Sequence, residues 1–117
     1  MELDFYNISV DDFVKLFRNA QAMQSTRVKI LKTHFQCAEH TATARQLSEL
    51  LGYKNFNAVN FQYGLFVKSL ALEFGISKKQ QEFDWLFFLM DFIHQRNKEC
   101  ELKLRENTVQ ALRNIGW

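Results

Sequence analysis

Residues that could contact DNA, most of them polar, recur at helical spacing between residues 54 and 68. In chain order they are Lys54, Asn57, Asn60 (or its neighbour Phe61), Gly64 and Lys68. Steps of three and four place them on one face of a helix. Asn can pair with the N6 and N7 groups of adenine, and Lys can bind phosphate or guanine. This spacing therefore predicts a helix face that contacts nucleic acid.

Gly64 stands in the middle of this predicted helix, where glycine costs about 1 kcal/mol relative to alanine. Such a glycine predicts the close approach of another body. That body could be a nucleic-acid backbone, or the first helix or a strand of the same chain.

A second group with possible chemistry is the series His34, Cys37 and His40, to which Cys100 or His94 could add a fourth zinc ligand. Its two three-residue steps do not match a usual zinc spacing. We favour a helix end with a buried cysteine and solvent-facing histidines, and expect no metal and no cofactor. The histidines lie in no recognisable nuclease motif and no phosphate-binding glycine loop is present, so we also expect no catalytic centre.

Helical periodicity and capping signals predict the elements that carry these residues. The predicted helices are 10–23, beginning after an S-x-x-D start at Ser9, a second from about Ser25, a short one from Thr43 to Leu51, and a long one from Asn55 to about Phe74. The stretch 38–43 is predicted to be a loop. Thr43 and Gln46 form a capping-box pattern, and Gly52 fits the left-handed position that ends a helix.

The segment after Gly75 predicts a β-hairpin at about 84–105 and a last short helix. Residues 85–93 are apolar on both faces of a predicted strand, residues 95–98 form the turn, and residues 99–105 alternate with period two. Asn107 and Gln110 are predicted to cap the final helix. This order of elements is typical of a winged helix-turn-helix, an α+β and mostly α fold, with its helix-turn-helix core at 43–74.

Composition favours a single domain over residues 1–117. The chain is 47% hydrophobic with twelve Phe, which suits one core, and no apolar run is long enough for a membrane span. The start of the chain lacks the basic residues of a signal peptide, and two cysteines without a framework indicate a reducing compartment, so we expect a cytoplasmic protein. Five cations and no acid occupy residues 13–37, namely Lys15, Arg18, Arg27, Lys29 and Lys32. They predict either a phosphate-facing surface or two ordinary solvated helix faces.

The string TARQLSELLGYKNFNAVNFQYG at 43–64 and the closing segment 102–117 resemble a bacterial winged-helix module. That module occurs N-terminal to HNH endonuclease domains in restriction-type proteins and also as stand-alone small proteins. The resemblance implies DNA targeting in bacterial or phage defence or regulation. The positions that it implies are Asn57, Asn60, Gln62, Tyr63 and Gly64. The sequence departs from the module just after Gly64, where the resemblance implies arginines and Leu65, Phe66 and Val67 stand instead.

The predicted function is therefore non-catalytic binding of double-stranded DNA. Arg45, near the start of the short helix, and Arg96 and Lys98, in the hairpin turn, are expected to meet phosphates. The full predicted set of contact residues is Arg45, Lys54, Asn55, Asn57, Asn60, Gln62, Gly64, Lys68, Arg96 and Lys98.

The apolar strand from Trp85 to Phe92 supplies an alternative function. Its second face needs a cover, for which the N-terminal segment with Leu3, Phe5, Tyr6 and Ile8 is available. Without that cover the strand would be a docking surface, since large exposed apolar patches usually mark interaction sites. The chain would then be a protein-interaction module, either a homodimer or an inhibitor of a defence complex.

Overall fold

The computed structural model describes residues 8–76 and 85–117, and there the chain is α+β and mostly helical. The helices are α1 (Val10–Phe17), α2 (Val28–Gln36), α3 (Ala44–Leu51), α4 (Phe56–Phe74) and α5 (Glu106–Asn114). The strands are β1 (Thr41–Thr43), β2 (Met90–Ile93) and β3 (Glu101–Leu104). Short 3₁₀ turns at Ala38–His40 and Trp85–Phe88 precede β1 and β2.

The three strands form one antiparallel sheet in the order β1-β3-β2. Leu102 on the central strand pairs with Ala42 on one side and with Phe92 on the other. The prediction of a loop at 38–43 is wrong for β1, because three residues are too short to display an alternating pattern. Their strand conformation comes from pairing with β3, which lies far away in the sequence.

Capping signals placed several helix ends correctly. The hydroxyl of Ser9 accepts a hydrogen bond from the Asp12 N–H at 3.1 Å and begins α1. Gly52 and Gly75 end α3 and α4 with φ of 74° and 113°, in the left-handed region that glycine adopts without a steric penalty. The predictions for these ends are confirmed.

Three other helix ends differ from the prediction because side chains compete for the backbone. Helix α1 ends at Phe17 instead of residue 23, since the Asn19 side chain accepts hydrogen bonds from the N–H groups of Gln21 and Ala22. Helix α2 begins at Val28, after a turn in which the Ser25 hydroxyl accepts from the Arg27 N–H. Helix α5 has Arg105 as its N-cap, and Asn107 instead donates its side-chain N–H to the Ile8 carbonyl.

The predicted long strand at 85–93 is wrong over its first half. Residues 85–88 form a 3₁₀ turn packed on α4, and the strand begins only at Met90. A 3₁₀ turn does not alternate sides as a strand does, so consecutive Phe88, Leu89 and Met90 are all buried. The chain's own helices cover much of this apolar segment, which removes the argument for a two-faced docking strand. Ile8 is buried, whereas Leu3, Phe5 and Tyr6, the other residues predicted to cover the apolar strand, lie outside the described residues.

Helix α4 runs through the core and is fixed there by a buried histidine. His34 on α2 is 0% exposed; its Nδ1 lies 2.8 Å from the Tyr63 hydroxyl on α4 and its Nε2 lies 2.8 Å from the Leu102 carbonyl on β3. Burial lowers the pKa of His34 to about 4, outweighing the opposing effect of the Leu102 bond. The ring is therefore neutral, with Nε2–H donating to Leu102 and Nδ1 accepting from Tyr63.

No helix in the described parts of the chain is long and apolar enough to cross a membrane.

Candidate nucleic-acid interface

The turn between α3 and α4 is held by short-range hydrogen bonds. Thr43 and Gln46 form the predicted capping box: the Gln46 N–H donates to the Thr43 hydroxyl at 3.1 Å and the Thr43 N–H donates to Gln46 Oε1 at 2.8 Å. After Gly52, the Tyr53 N–H donates to the Ser48 carbonyl at 3.0 Å, and the Ser48 hydroxyl donates to the Tyr53 carbonyl at 3.2 Å. These bonds fix the direction in which α4 leaves α3.

Asn55 has a structural role at this turn. Its side-chain oxygen accepts a hydrogen bond from the Ala58 N–H at 2.9 Å and caps α4. Since the cap uses that oxygen, Asn55 cannot pair bidentately with adenine while α4 keeps its N-cap.

The outward face of α4 carries Asn57, Phe61 and Leu65 at successive steps of four. Asn57 is exposed, Phe61 is 63% exposed and Leu65 is 36% exposed. Lys54 is exposed one turn before them. The opposite face is buried in the core and consists of Val59, Tyr63, Phe66, Val67, Leu70 and Ala71. The structure thus assigns the outward position to Phe61, which the sequence left open between Asn60 and Phe61.

Gly64 lies beside this outward face and faces open space. Apart from its chain neighbours and the adjacent backbone of α4, a Cβ atom built on Gly64 would meet no heavy atom of the described chain within 4 Å. The prediction that helix 1 or a strand of the same chain approaches Gly64 is therefore wrong for the described residues.

Asn60 lies on the side of α4, against the start of α3 and the hairpin. It lines a cavity of about 270 Å³ together with Thr43, Ala44, Arg45, Phe56, Glu99 and Cys100. An adjoining cavity of about 300 Å³ shares Ala44, Asn60 and Cys100 and extends towards Phe92 and His94. Asn60 thus borders a groove between α4 and the hairpin.

Two further predicted contact residues are held by neighbours in the chain. The Gln62 side-chain oxygen accepts a hydrogen bond from the Arg27 guanidinium. Lys68 is half-buried, and its Nζ lies 6.0 Å from the centre of the Trp85 ring. Lys68 thus lies where the side of α4 meets the 3₁₀ turn before β2.

Arg45 is paired with an acid of the hairpin. Its Nε donates to Glu99 Oε1 at 2.6 Å, with side chains that remain 59% and 50% exposed. The guanidinium also lies 5.8 Å from the centre of the Phe56 ring. The hydrogen bond and charge of Glu99 raise the pKa of Arg45. A phosphate at Arg45 would have to compete with this carboxylate.

The tip of the hairpin presents two cations to solvent. The Lys98 N–H donates to the Gln95 carbonyl at 3.1 Å, which closes a turn whose Asn97 has φ of 61°. Asn tolerates this left-handed conformation better than most residues. Arg96 and Lys98 are exposed on either side of Asn97, so the predicted position of both cations in the turn is confirmed.

The series His34, Cys37 and His40, considered for zinc, packs against neighbouring groups of the chain. His34 is buried, so its predicted solvent-facing position is wrong. The half-buried Cys37 donates its thiol hydrogen to the Thr33 carbonyl, and the His40 ring stacks on Phe35 with centroids 4.7 Å apart. Burial raises the pKa of the Cys37 and Cys100 thiols, which favours their neutral forms. Over residues 8–76 and 85–117, no three His, Cys, Asp or Glu side chains are grouped for a metal ion.

Comparison of the chain with protein-family models, with curated proteins and with solved structures gave no match. The resemblance of residues 43–64 and 102–117 to the restriction-associated module remains a prediction.

The structure brings the predicted residues into two areas. Asn57 and Gly64 lie along the outer side of α4 and Lys54 is exposed in the turn just before it, while Arg96 and Lys98 lie at the hairpin tip. Phe61 is the candidate that the sequence pattern gave only as an alternative to Asn60. The sequence could have indicated that Phe61 is exposed, because Phe61 lies outside the apolar stripe of α4. An aromatic residue outside the buried stripe of a core helix faces solvent.

Proposed function

We propose that this chain is a non-catalytic winged helix-turn-helix domain that binds double-stranded DNA. The order α2-β1-α3-α4-β2-β3, with a sheet ordered β1-β3-β2, supports the winged helix-turn-helix architecture. In this interpretation α4 is the helix that enters the major groove, and the connection between β2 and β3 is the wing.

The observation that carries the proposal is the absence of acidic residues from the turn before α4 and from residues 56–72 of α4. From Tyr53 to Leu72 the chain has Lys54 and Lys68 and no acidic residue. An exposed helix face without a single carboxylate avoids repulsion from the phosphate backbone of DNA. The two exposed cations of the hairpin tip, Arg96 and Lys98, provide a second contact with phosphates.

We assign the proposed contacts by geometry. Asn57 contacts a base edge, Lys54 contacts a phosphate beside α4, and Arg96 and Lys98 contact phosphates at the wing. Three residues of the predicted set support the interface in place of touching DNA: Asn55 caps α4, Gln62 holds Arg27, and Arg45 holds the wing through Glu99. The resemblance to a restriction-associated module adds the context, which is defence or regulation in the cytoplasm of a bacterium.

The test is fluorescence anisotropy of the full chain with a labelled random duplex, from roughly 50 to 200 mM salt, the range over which phosphate contacts weaken strongly. We expect the affinity to fall with salt, with a log–log slope of about −0.9 for each phosphate contacted. Replacing both Arg96 and Lys98 with Ala should reduce the magnitude of that slope by about 2.

Lys15→Ala is the matched control for charge. Lys15 is exposed on α1 and lies near Glu73, at the far end of α4 from the turn. Its removal should leave the salt slope unchanged. If the wild-type chain shows no binding at the lowest salt, the proposed function is wrong.

A protein-interaction module is the second candidate, and the exposure of Phe61 and Leu65 favours it. These two apolar side chains lie one turn apart on α4. If they form a contact between copies of the chain, sedimentation equilibrium should show a dimer that persists at high salt and dissociates in Phe61→Ala. A monomer at all salt concentrations, with salt-dependent DNA binding, would exclude this candidate.

A further inference from the structure

We propose that Phe61 gives the domain a preference for DNA bases that carry a C5-methyl group, which are thymine and 5-methylcytosine. This inference rests on the proposed function, since it assigns a specificity to α4 as the helix in the major groove. The aromatic ring of Phe61 would pack against the methyl group, which projects into that groove.

Phe61 is exposed at a position where the fold does not need it. Its side chain is 63% exposed, in the centre of the outward face of α4, with Asn57 one turn before and Leu65 one turn after. The core takes the opposite face, so packing within the chain does not require an aromatic residue here. Apolar contact with a methyl group is one of the ways in which side chains read the major groove.

Open space lies beside the ring. Gly64 lies three residues after Phe61, and a Cβ there would meet no described atom within 4 Å. The surface of α4 is therefore recessed at Gly64, next to the exposed side chain of Phe61. A base edge or sugar-phosphate strand can come close to the backbone at Gly64 while the ring of Phe61 reaches into the groove.

The charge around Phe61 selects DNA over an apolar protein partner. Phe61 lies in the acid-free segment between Tyr53 and Leu72, and Lys54 is exposed in the turn just before α4. Asn57 adds an amide that can pair with adenine. An apolar residue that shares its helix face with an amide, with a cation in the turn before the helix, fits the mixed surface of a major groove.

The spacing predicts how the two base contacts are related. Asn57 and Phe61 are one turn apart, about 6 Å along the helix, and base pairs are stacked about 3.4 Å apart. We therefore expect the adenine read by Asn57 and the methyl group packed on Phe61 to lie one to two base pairs apart.

The experiment compares three pools of random duplexes that differ only in pyrimidine methylation. One pool contains thymine, one contains uracil in place of thymine, and one contains thymine together with 5-methylcytosine in place of cytosine. Affinity of the full chain for each pool is measured by anisotropy at low salt. We expect the affinity for the uracil pool to be about fourfold lower than that for the thymine pool for each methyl group that the Phe61 ring contacts. This is the effect expected from the burial of one methyl-sized group. Tighter binding to the third pool would identify 5-methylcytosine as a second source of the methyl group.

Phe61→Ala should bind all three pools equally, with a salt slope like that of the wild-type chain. Leu50→Ala is the matched control, because Leu50 is 64% exposed but lies on α3. It should keep the wild-type preference. Circular dichroism of both variants checks that they fold.

Two outcomes overturn the inference and are distinguishable. If the wild-type chain binds the three pools with equal affinity, Phe61 reads no methyl group, although the proposed DNA binding stands. If the chain binds none of them at low salt, the proposed function fails and the inference fails with it.

Discussion

Two of the polar contacts between the helices and the β-hairpin differ in almost every physical respect. His34 is fully buried and neutral, and it connects α2 to Tyr63 of α4 and to Leu102 of β3. Arg45 and Glu99 are charged and at least half exposed, and they connect the first turn of α3 to the end of the hairpin loop. The first contact lies under α4, and the second lies at the edge of the proposed DNA-binding surface.

The buried contact therefore stabilises one arrangement of the fold, whereas the exposed ion pair can change its partners. A buried polar group left without its partner costs free energy, so the His34 contacts hold one arrangement of α2, α4 and β3. An exposed ion pair is screened by water and salt and exchanges readily with other charges. His34 therefore anchors the strands of the hairpin. At the hairpin loop, Arg45 can leave Glu99 and bind another anion instead.

The largest expected effect comes from removing the buried contact. His34→Ala leaves the Tyr63 hydroxyl and the Leu102 carbonyl without their partner and creates a cavity, so we expect it to destabilise the fold by about 2–4 kcal/mol. Urea denaturation measures this change. His94→Ala is the control: His94 is exposed, and its loss should change stability by less than about 0.5 kcal/mol. An equally small effect for both variants would contradict the anchoring role of His34.

Acid should weaken the same contact. The pKa of His34 is lowered to about 4 in the fold from 6.5, so the fold favours the neutral ring. Its contribution is fully present above pH 6.5 and is lost as the pH falls from 6.5 towards 4. Between pH 7 and pH 5 we expect a loss of about 2 kcal/mol of unfolding free energy.

Urea denaturation at the two pH values, carried out on the wild-type chain and on His34→Gln, isolates this effect. The variant lacks the titrating ring, so it should lose much less stability than the wild-type chain over this interval. The carboxyl groups titrate in both proteins and cancel in the comparison. Equal losses in the two proteins would show that His34 does not cause the acid sensitivity.

Local sequence signals predicted the parts of the fold that depend on local physics. The capping box at Thr43, the N-cap at Asn55 and the left-handed glycines at 52 and 75 all involve residues within a few positions of one another. Such interactions are written in the sequence as short patterns. The helix pair α3–α4, which positions the candidate site, was predictable for this reason.

Apart from the ends of α1 and α2, which local side-chain bonds of Asn19 and Ser25 shift, the errors occurred where distant parts of the chain decide the structure. Strand β1 exists because residues 41–43 pair with 101–103, and the 3₁₀ turn at 85–88 buries its side chains against α4. The burial of His34 likewise depends on Leu102, far along the chain. In the candidate site, the pairing of Arg45 with Glu99 had the same origin, since no spacing rule connects residues 54 positions apart.

Changes at exposed positions are expected to affect stability less than the loss of His34, and the first of them is at Gly64. Its backbone is helical and a Cβ would meet open space, so Gly64→Ala should stabilise the fold by about 0.5–1 kcal/mol. The same methyl group would stand in the way of closely approaching DNA. We therefore expect the variant to unfold at higher urea concentration and to bind DNA more weakly.

Opposite changes in stability and affinity are the informative result for Gly64→Ala. Ser69→Ala, also on α4 and exposed, controls for a general rise in helix propensity. Unchanged DNA affinity in Gly64→Ala would show that DNA does not approach the helix there. A lower stability would contradict the open space around Gly64.

The smallest effect on stability is expected from Glu99→Gln, because the ion pair with Arg45 is exposed to water. DNA binding should change in the direction opposite to that expected for Gly64→Ala. Without the carboxylate, Arg45 is free to meet a phosphate, so the affinity should rise at low salt and the magnitude of the salt slope should increase by about 1. The double variant Glu99→Gln with Arg45→Ala should return the slope to its wild-type value, since the gain depends on the released guanidinium. If Glu99→Gln raises the affinity just as much when Arg45 is absent, the effect is a general loss of negative charge at the hairpin, and the ion pair has no role in controlling the hairpin loop.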